Sequence, residues 1–409
     1  MSRVVIVGAS VAGTRTAQAL RAEGHDGEIV LIGDEAELPY DKPPLSKGFL
    51  AGTVSSESLT LFTRKSAEAM DVQLLLSRRA TGLNVRSRCV EFENDQPLEY
   101  DHVVAATGAR ARPSPWGQHP GVHQLRTLRD AEQLRAGLTS GGPLVVVGGG
   151  LIGSEVASTA QSLGVTVTLV DPLAHPMSRI LDFEFGEWFL NVYKRHGVQA
   201  KFGVSVEGIQ KEEGHLRVKL SDGEELEAAN VLVGIGAEPN DDWLRRSGVS
   251  VDSGLICDQY CRSVDTPGVY GVGDVTRWSP PDRREAIRLE HWTNAVEQAV
   301  CVAYNITHPC ELRPYAPVEY VWSDQYGLKI QIVGRAIGSL RRAIVGDWAE
   351  GNRFAVLYSE DGQTLTGAVV INWPRGLVES RRAVAAGQTL NDVNARLEAV
   401  LAKSSPVRE

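Results

Sequence analysis

Cysteine is sparse in this chain. The 409 residues include five, at positions 89, 257, 261, 301 and 310. No two form a C-x-x-C pair, which argues against a dithiol centre or a zinc knuckle. Scattered thiols suit a reducing cytosol, although Cys257 and Cys261 are spaced to share a helix face. The nine histidines show no metal-ligand spacing, and no Ser-His-Asp order stands out. Neither a metal site nor a hydrolytic triad is therefore expected. No apolar run is long enough to cross a bilayer. The N-terminus enters a strand at once, without the basic, apolar and cleavage regions of a signal peptide. Positive charge is in deficit: Lys+Arg 42 against Asp+Glu 51 gives a net −9. Such a surface has no global attraction for nucleic acid or anionic membrane. The expectation is a cytoplasmic protein of two or three domains.

What is present begins at once. Val4 to Val7 run into the small-residue turn Gly8-Ala9-Ser10-Val11-Ala12-Gly13. A helical pattern follows from Thr14 to about Glu23, and Gly24 is placed to stop it. This reads as strand, tight turn and helix, the opening of a dinucleotide-binding unit. A pyrophosphate needs the free N–H groups and positive dipole end of such a helix. Ser10 stands where the middle glycine of G-x-G-x-x-G belongs, so this motif alone reads equally as an ordinary buried strand and turn. The next strand ends at Asp34, about twenty residues past Gly13, where a carboxylate is expected to grip a ribose diol.

A second copy is intact. Leu144 to Val147 lead into Gly148-Gly149-Gly150-Leu151-Ile152-Gly153. A helix pattern runs to Leu163, and the following strand ends at Asp171. Two such units in one chain form an internal repeat, each fit to hold one dinucleotide. A carboxylate at Asp171 accepts both ribose hydroxyls but repels a 2′-phosphate. Residues 172–175 offer no arginine or lysine, which favours NADH over NADPH.

Between and after these units lie other candidates. Residues 38–48 form a loop stiffened by Pro43 and Pro44 from which Lys42 and Lys47 project, either towards a bound dinucleotide or as a solvated turn. Residues 72–104 alternate as short strands and end on Ala106-Thr107-Gly108, small enough to pass close to a cofactor. Residues 198–235 repeat that pattern and close near Gly236. Gly273-Asp274 stands at what reads as a helix start. An aspartate there repels phosphate and should face a sugar-alcohol hydroxyl. After residue 318, five strand-like stretches and one helix, about Leu390 to Leu401, suggest a small α+β region. Trp322, Trp348 and Trp373 belong to its core by default.

The chain resembles the FAD- and NADH-dependent ferredoxin reductases that feed bacterial cytochromes P450 and Rieske-type oxygenases. The likeness spans nearly the full length. It includes G-x-[GS]-x-A-G at Gly8–Gly13, P-P-L-S-K at Pro43–Lys47, A-T-G at Ala106–Gly108 and L-R-T-L at Leu125–Leu128. G-G-G-x-I-G-x-E at Gly148–Glu155, G-D at Gly273-Asp274 and W-S-D-Q at Trp322–Gln325 complete it.

The resemblance implies an α/β fold with two Rossmann-like domains of the glutathione reductase kind and a C-terminal α+β domain. The expected boundaries are 1–108 and 241–318 for FAD, 109–240 for NADH, and 319–409 for the C-terminal part. It further implies that Ala12 and Gly13 meet the FAD pyrophosphate, Asp34 the ribose, Ala80 the adenine end, and Asp274 the ribitol chain, with Gly8, Ser10 and Gly273 also in the cofactor-binding set. Arg126, Trp292 and Lys47 also serve the flavin. Lys42, Thr107, Gly108, Gly236 and Trp322 complete the expected cofactor set. Gly148, Gly150, Ile152, Gly153, Glu155 and Asp171 hold NADH. Lys47 and Glu155 are expected to pair beside the hydride path as the catalytic residues.

Relatives that reduce disulfides or peroxides place a redox cysteine after the first ribose carboxylate. This chain has none before Cys89, and Lys47 occupies that region. The expected partner is a [2Fe–2S] ferredoxin, whose acidic face requires a local basic patch. Arg64, Lys65, Arg283, Arg284, Arg288, Arg341 and Arg342 are candidates, with Arg283, Arg284 and Arg288 ranked first. Singly, each also reads as a solvated charge. Rubredoxin reductase, NADH oxidase and a non-enzymatic NADH-sensing flavoprotein remain as alternatives, and a monomer and a homodimer both stay open.

Overall fold

The apolar run after Arg3 forms the strand Val4–Val7, every residue of it buried. It pairs in parallel with Ile29–Ile32 on one side and His102–Ala105 on the other. Val72–Leu75 and Val269–Gly271 extend the sheet to five strands. Strands buried on both faces are those of a parallel sheet covered by helices. One register aligns Val7 with Ile32 and Ala105. The turns after these three strands therefore leave from the same edge, at their carboxyl ends. In open α/β sheets that edge is where ligands bind. The helix Val11–Ala22 packs on the helix Trp292–Thr307. Small buried residues, Ala12 and Ala17 on one and Ala295 and Ala299 on the other, let the two approach.

This is a computed structural model, and it describes residues 2–281, 285–349 and 351–404. The strands just named belong to one compact unit, Met1–Pro43, Ser55–Arg110 and Ala237–Pro317. Ala80–Asn84, Cys89–Phe92 and Leu98–Glu99 add a three-stranded antiparallel sheet to it.

A second unit comprises Pro44–Val54, Ala111–Gly236 and Val318–Glu409. Its parallel sheet has the order Gln199–Phe202, Val167–Asp171, Leu144–Val147, Asn230–Val233, Val122–His123. Val147 lies level with Val170 and Val233, so the register repeats that of the first unit. The later part of this unit is a five-stranded antiparallel sheet, Tyr320–Gln325, Leu328–Gly334, Gly367–Ile371, Phe354–Ser359 and Arg341–Gly346 in spatial order. Among the described residues no helix is long and apolar enough to cross a membrane.

Four local expectations change. The first motif helix starts three residues earlier than the apolar pattern predicts, at Val11, and the second begins likewise within its turn, at Leu151, because the glycine turn is itself the first helical turn. The late region holds a second helix, Pro374–Ala385. Arg375, Glu379, Arg381 and Arg382 hide its apolar face in the sequence. Pro374 suits a first helical position, and a Cβ on Gly376 would come within 2.6 Å of the Trp373 ring. Asp274 lies not at the head of a long helix but in a single turn, Gly273–Val275, that runs into the strand Thr276–Trp278. Cys257 ends a strand and Cys261 sits in a turn at φ +60°, so they share no helix face.

Candidate functional site

In the first unit the glycine turn is fixed by backbone contact. Gly8 has φ +119°, and a Cβ there would lie 2.2 Å from the carbonyl oxygen of Ala106. A Cβ on Gly13 would lie 1.9 Å from the carbonyl oxygen of Gly8. Only glycine allows strand, turn and helix to close so tightly. Ser10 is the N-cap residue, but its hydroxyl makes no capping bond, and no acidic side chain stands in the first turn. The first-turn N–H groups are thus left to an outside acceptor, which is the condition for binding a phosphate. Asp34 is exposed at the end of the neighbouring strand.

The second unit repeats these dimensions. Gly148 has φ +110° and a would-be Cβ 2.2 Å from the carbonyl oxygen of Gly234, while that of Gly153 falls 1.9 Å from the Gly148 oxygen. Gly150 caps the helix without a side chain. A Cβ on Gly150 would meet nothing within 4 Å. The corresponding place in the first unit is Ser10, so the protein itself has room for that serine. Asp171 differs from Asp34. It is 9% exposed, with Oδ2 accepting from the Gly149 N–H at 2.6 Å and Oδ1 from the Leu173 N–H at 2.7 Å.

Three distant motifs of the second unit meet around one buried acid. Glu155, 2% exposed, lies on the buried face of the helix Leu151–Ser162. Lys47 Nζ approaches its Oε2 at 2.7 Å, so the expected ion pair forms. Ser46 donates to the same oxygen at 2.5 Å, and Ser323 donates to Oε1 at 2.5 Å. Gln325 Nε2 in turn donates to Ser323 Oγ at 2.8 Å. The short helix Pro43–Ser46 carries Ser46, and Thr159 donates to the Ser46 carbonyl at 2.8 Å, fastening this loop to the helix. Tyr193, whose hydroxyl burial makes still harder to ionise, donates to Ser154 Oγ at 2.7 Å beside the same site. Ser46, Ser323 and Gln325 were not among the sequence-derived site residues. The signal was nonetheless there, since each lies inside P-P-L-S-K or W-S-D-Q.

The remaining positions are placed as follows. Gly273, φ +76°, donates its N–H to Gln298 Oε1 at 2.7 Å. Asp274 follows it and its carbonyl accepts from Arg288 at 3.2 Å. Trp292 opens its helix and donates from Nε1 to Asp41 at 2.8 Å. Lys42 pairs with Glu35 at 3.2 Å. Thr107 donates to the Asn240 carbonyl at 2.7 Å, and Gly108 has φ +64°. Ala80 begins its strand and Gly236 has φ +111°. In the second unit Arg126 lies just before the helix Leu128–Thr139, its N–H donating to Asp130 at 3.0 Å. Ile152 is exposed in the first turn of its helix, and Trp322 is half-buried and stacks on Tyr320.

The family model for pyridine nucleotide-disulphide oxidoreductases matches residues 2–299. The chain belongs to this family. A second model, reductase C-terminal, matches residues 320–403. Among similar members, the ferredoxin–NAD(+) reductase component of the biphenyl dioxygenase system of Paraburkholderia xenovorans is 36% identical over 414 residues, covering 98% of this chain and 99% of its own. Rhodocoxin reductase of Rhodococcus erythropolis is 34% identical over 387 residues, 93% of this chain and 89% of its own. The crystal structure of the covalent putidaredoxin reductase–putidaredoxin complex matches with a TM-score of 0.91 and 31% identity over 99% of both chains. The architecture expected from the paired glycine motifs is thus that of this family, here with a C-terminal reductase region.

Proposed function

We propose that this protein passes electrons from NADH through FAD to a [2Fe–2S] ferredoxin that supplies a cytochrome P450 or Rieske-type oxygenase. The observation that carries the reading is Lys47 held on buried Glu155, in the segment where thiol-reducing relatives would need a cysteine. Similarity over nearly the whole length to reductases named for their ferredoxins supports it.

FAD, when bound, takes two electrons at once from a nicotinamide and releases them singly to an iron–sulfur centre. The chain's own residues do the rest. Residues 1–108 and 241–318 bind FAD: Gly8, Ser10, Ala12 and Gly13 offer their helix start to its pyrophosphate, and Asp34 takes a ribose diol. Ala80, Thr107, Gly108, Gly273, Asp274 and Trp292 line the same ligand, with Lys42, Arg126 and Trp322 contributing. Residues 109–240 bind NADH through Gly148, Gly150, Ile152, Gly153, Asp171 and Gly236. Residues 319–409 form the third domain. Lys47 supplies positive charge where negative charge develops on reduction, and Glu155 fixes the ammonium in place.

For ferredoxin docking we retain the basic segment after Asp274. Arg283 and Arg284 lie outside the described residues. Arg288 is turned inward, 19% exposed and paired with Glu290 at 2.6 Å. Arg283 and Arg284 therefore carry this part of the reading.

The test is NADH-driven cytochrome c reduction by the FAD-loaded protein. It should rise steeply when a [2Fe–2S] ferredoxin is added. Rapid oxygen consumption without any partner would instead identify an oxidase. Slow flavin reduction leaving a long-lived charge-transfer band would identify a sensor.

A further inference from the structure

We infer that the first strand of the C-terminal sheet supplies a positioning residue, Ser323, which holds the Glu155 carboxylate so that Lys47 is presented in one place. This rests on the role proposed above for Lys47, and it gives the C-terminal region a part in the reaction.

The argument starts from proton counting. A serine hydroxyl has one proton to give and lone pairs to receive with. Gln325 Nε2 donates into Ser323 Oγ, so the single Ser323 proton is directed to Glu155 Oε1. The relay has one direction, from Gln325 through Ser323 to Glu155. Residues two apart on a strand share a face, which is how Ser323 and Gln325 come to act together. The pairing of Ser323 with Ile330 and of Gln325 with Leu328 sets that face. The Tyr326 N–H donates to Ser158 Oγ at 2.7 Å and fastens the strand end to the helix that bears Glu155.

The two carboxylate oxygens then have separate duties. Oε1 is taken by the C-terminal strand, whereas Oε2 receives both Ser46 and Lys47. Ser46, Glu155, Ser323 and Gln325 are each no more than 2% exposed, so water does not readily replace a missing donor. With Oε1 released, the carboxylate keeps only the Ser46 and Lys47 contacts on Oε2 and can swing about that oxygen, so the ammonium is held less closely in one place. A small misplacement of a reacting group is costly: about 1 Å can cost ~100-fold in rate.

The test is stopped-flow reduction of the FAD-loaded protein by NADH, with no ferredoxin present. Ser323→Ala is expected to lower the limiting reduction rate about tenfold while the NADH concentration for half-maximal rate changes less than about twofold, a partial form of the loss a misplaced group brings. Ser323→Thr keeps the hydroxyl on a residue suited to a strand and should restore most of the rate. Gln325→Met gives a second route should Ser323→Ala fold poorly. Gln325 Oε1 is buried without a partner among the described residues, so an apolar replacement removes a polar burden as it removes the donor. That variant should slow reduction about threefold, by loosening the same group.

Lys47→Met serves as the reference. If it reduces as fast as the wild type, the role of Lys47 is wrong and the inference falls with it. If Lys47→Met is slow but Ser323→Ala and Gln325→Met are normal, only the inference is overturned. Equal change in rate and half-saturation, or failure of threonine to restore the rate, would assign Ser323 to folding alone and also overturn it.

Discussion

The ion pair at the centre of the site is unequal in its surroundings, and stability should report that inequality. Lys47 is 20% exposed, whereas Glu155 is 2% exposed. Lys47→Met leaves a buried carboxylate with no counter-charge. Breaking a buried pair from one side typically costs about 3–5 kcal/mol. Ser46 and Ser323 still donate to the carboxylate, so the low end, about 3 kcal/mol, is expected here. Glu155→Gln leaves instead an ammonium whose side chain already reaches solvent. The carboxamide oxygen still accepts one serine hydroxyl, and its NH2 can donate to the other. That change should cost about 1 kcal/mol, the worth of one rearranged hydrogen bond. The double variant removes both charges and should be more stable than Lys47→Met alone, a coupling of about 1–2 kcal/mol between touching groups. Urea titration of the FAD-saturated proteins followed by tryptophan fluorescence measures this, comparing midpoints at unchanged slope. An additive double variant, or Glu155→Gln as costly as Lys47→Met, would refute the reasoning, because the buried charge would then not be the one that Lys47 compensates.

Gly13→Ala should yield protein without visible flavin absorbance, since its Cβ would strike a backbone oxygen that cannot withdraw; retention of the yellow colour would contradict this. Gly153→Ala should keep the flavin but lose reduction by NADH, the same clash occurring in the second unit. Asp171→Ala should raise KM for NADH at least about tenfold, the worth of a hydrogen bond to a charged group, with FAD retained. Loss of flavin at unchanged NADH affinity would overturn that assignment. Arg284→Glu should weaken ferredoxin turnover but leave ferricyanide turnover intact, and equal loss of both would remove this residue from the docking face.

The parts of the fold governed by local rules were legible in the sequence. Gly8, Gly13, Gly148 and Gly153 announce strand–turn–helix units because no other residue fits their contacts. The carboxylates Asp34 and Asp171 stand where the spacing puts them. Illegible were features set by tertiary packing. The helix Pro374–Ala385 has a charged sequence and is held by Trp373 against Gly376. The turn at Gly273–Val275 stays short because β-branched Thr276 enters a strand pairing with Leu255–Cys257. Likewise, nothing in a one-dimensional pattern says that Ser323 meets Glu155 across 168 positions. Their motifs marked both neighbourhoods, but only the fold shows which atoms touch.

On the proposed assignment the two carboxylates that follow the glycine motifs meet different ligands, and their surroundings differ as well. Asp34 is exposed. Asp171 has spent one lone pair of each oxygen on backbone N–H groups, those of Gly149 and Leu173. An ionised carboxylate has about four acceptor sites, so two remain for the hydroxyls of a diol. Because both oxygens are tied to the backbone, the group cannot swing aside for a different ligand. A 2′-phosphate would meet a nearly buried negative charge fixed in place, with Pro172, Leu173, Ala174 and His175 offering no arginine or lysine in return. Replacing Asp171 alone does not remove the obstacle, since it strips the acceptor from two N–H groups that shape the glycine turn itself. On the proposed assignment, preference for NADH is therefore a property of the turn and carboxylate together. Acceptance of NADPH would require a new acceptor for those N–H groups as well as a cation for the phosphate.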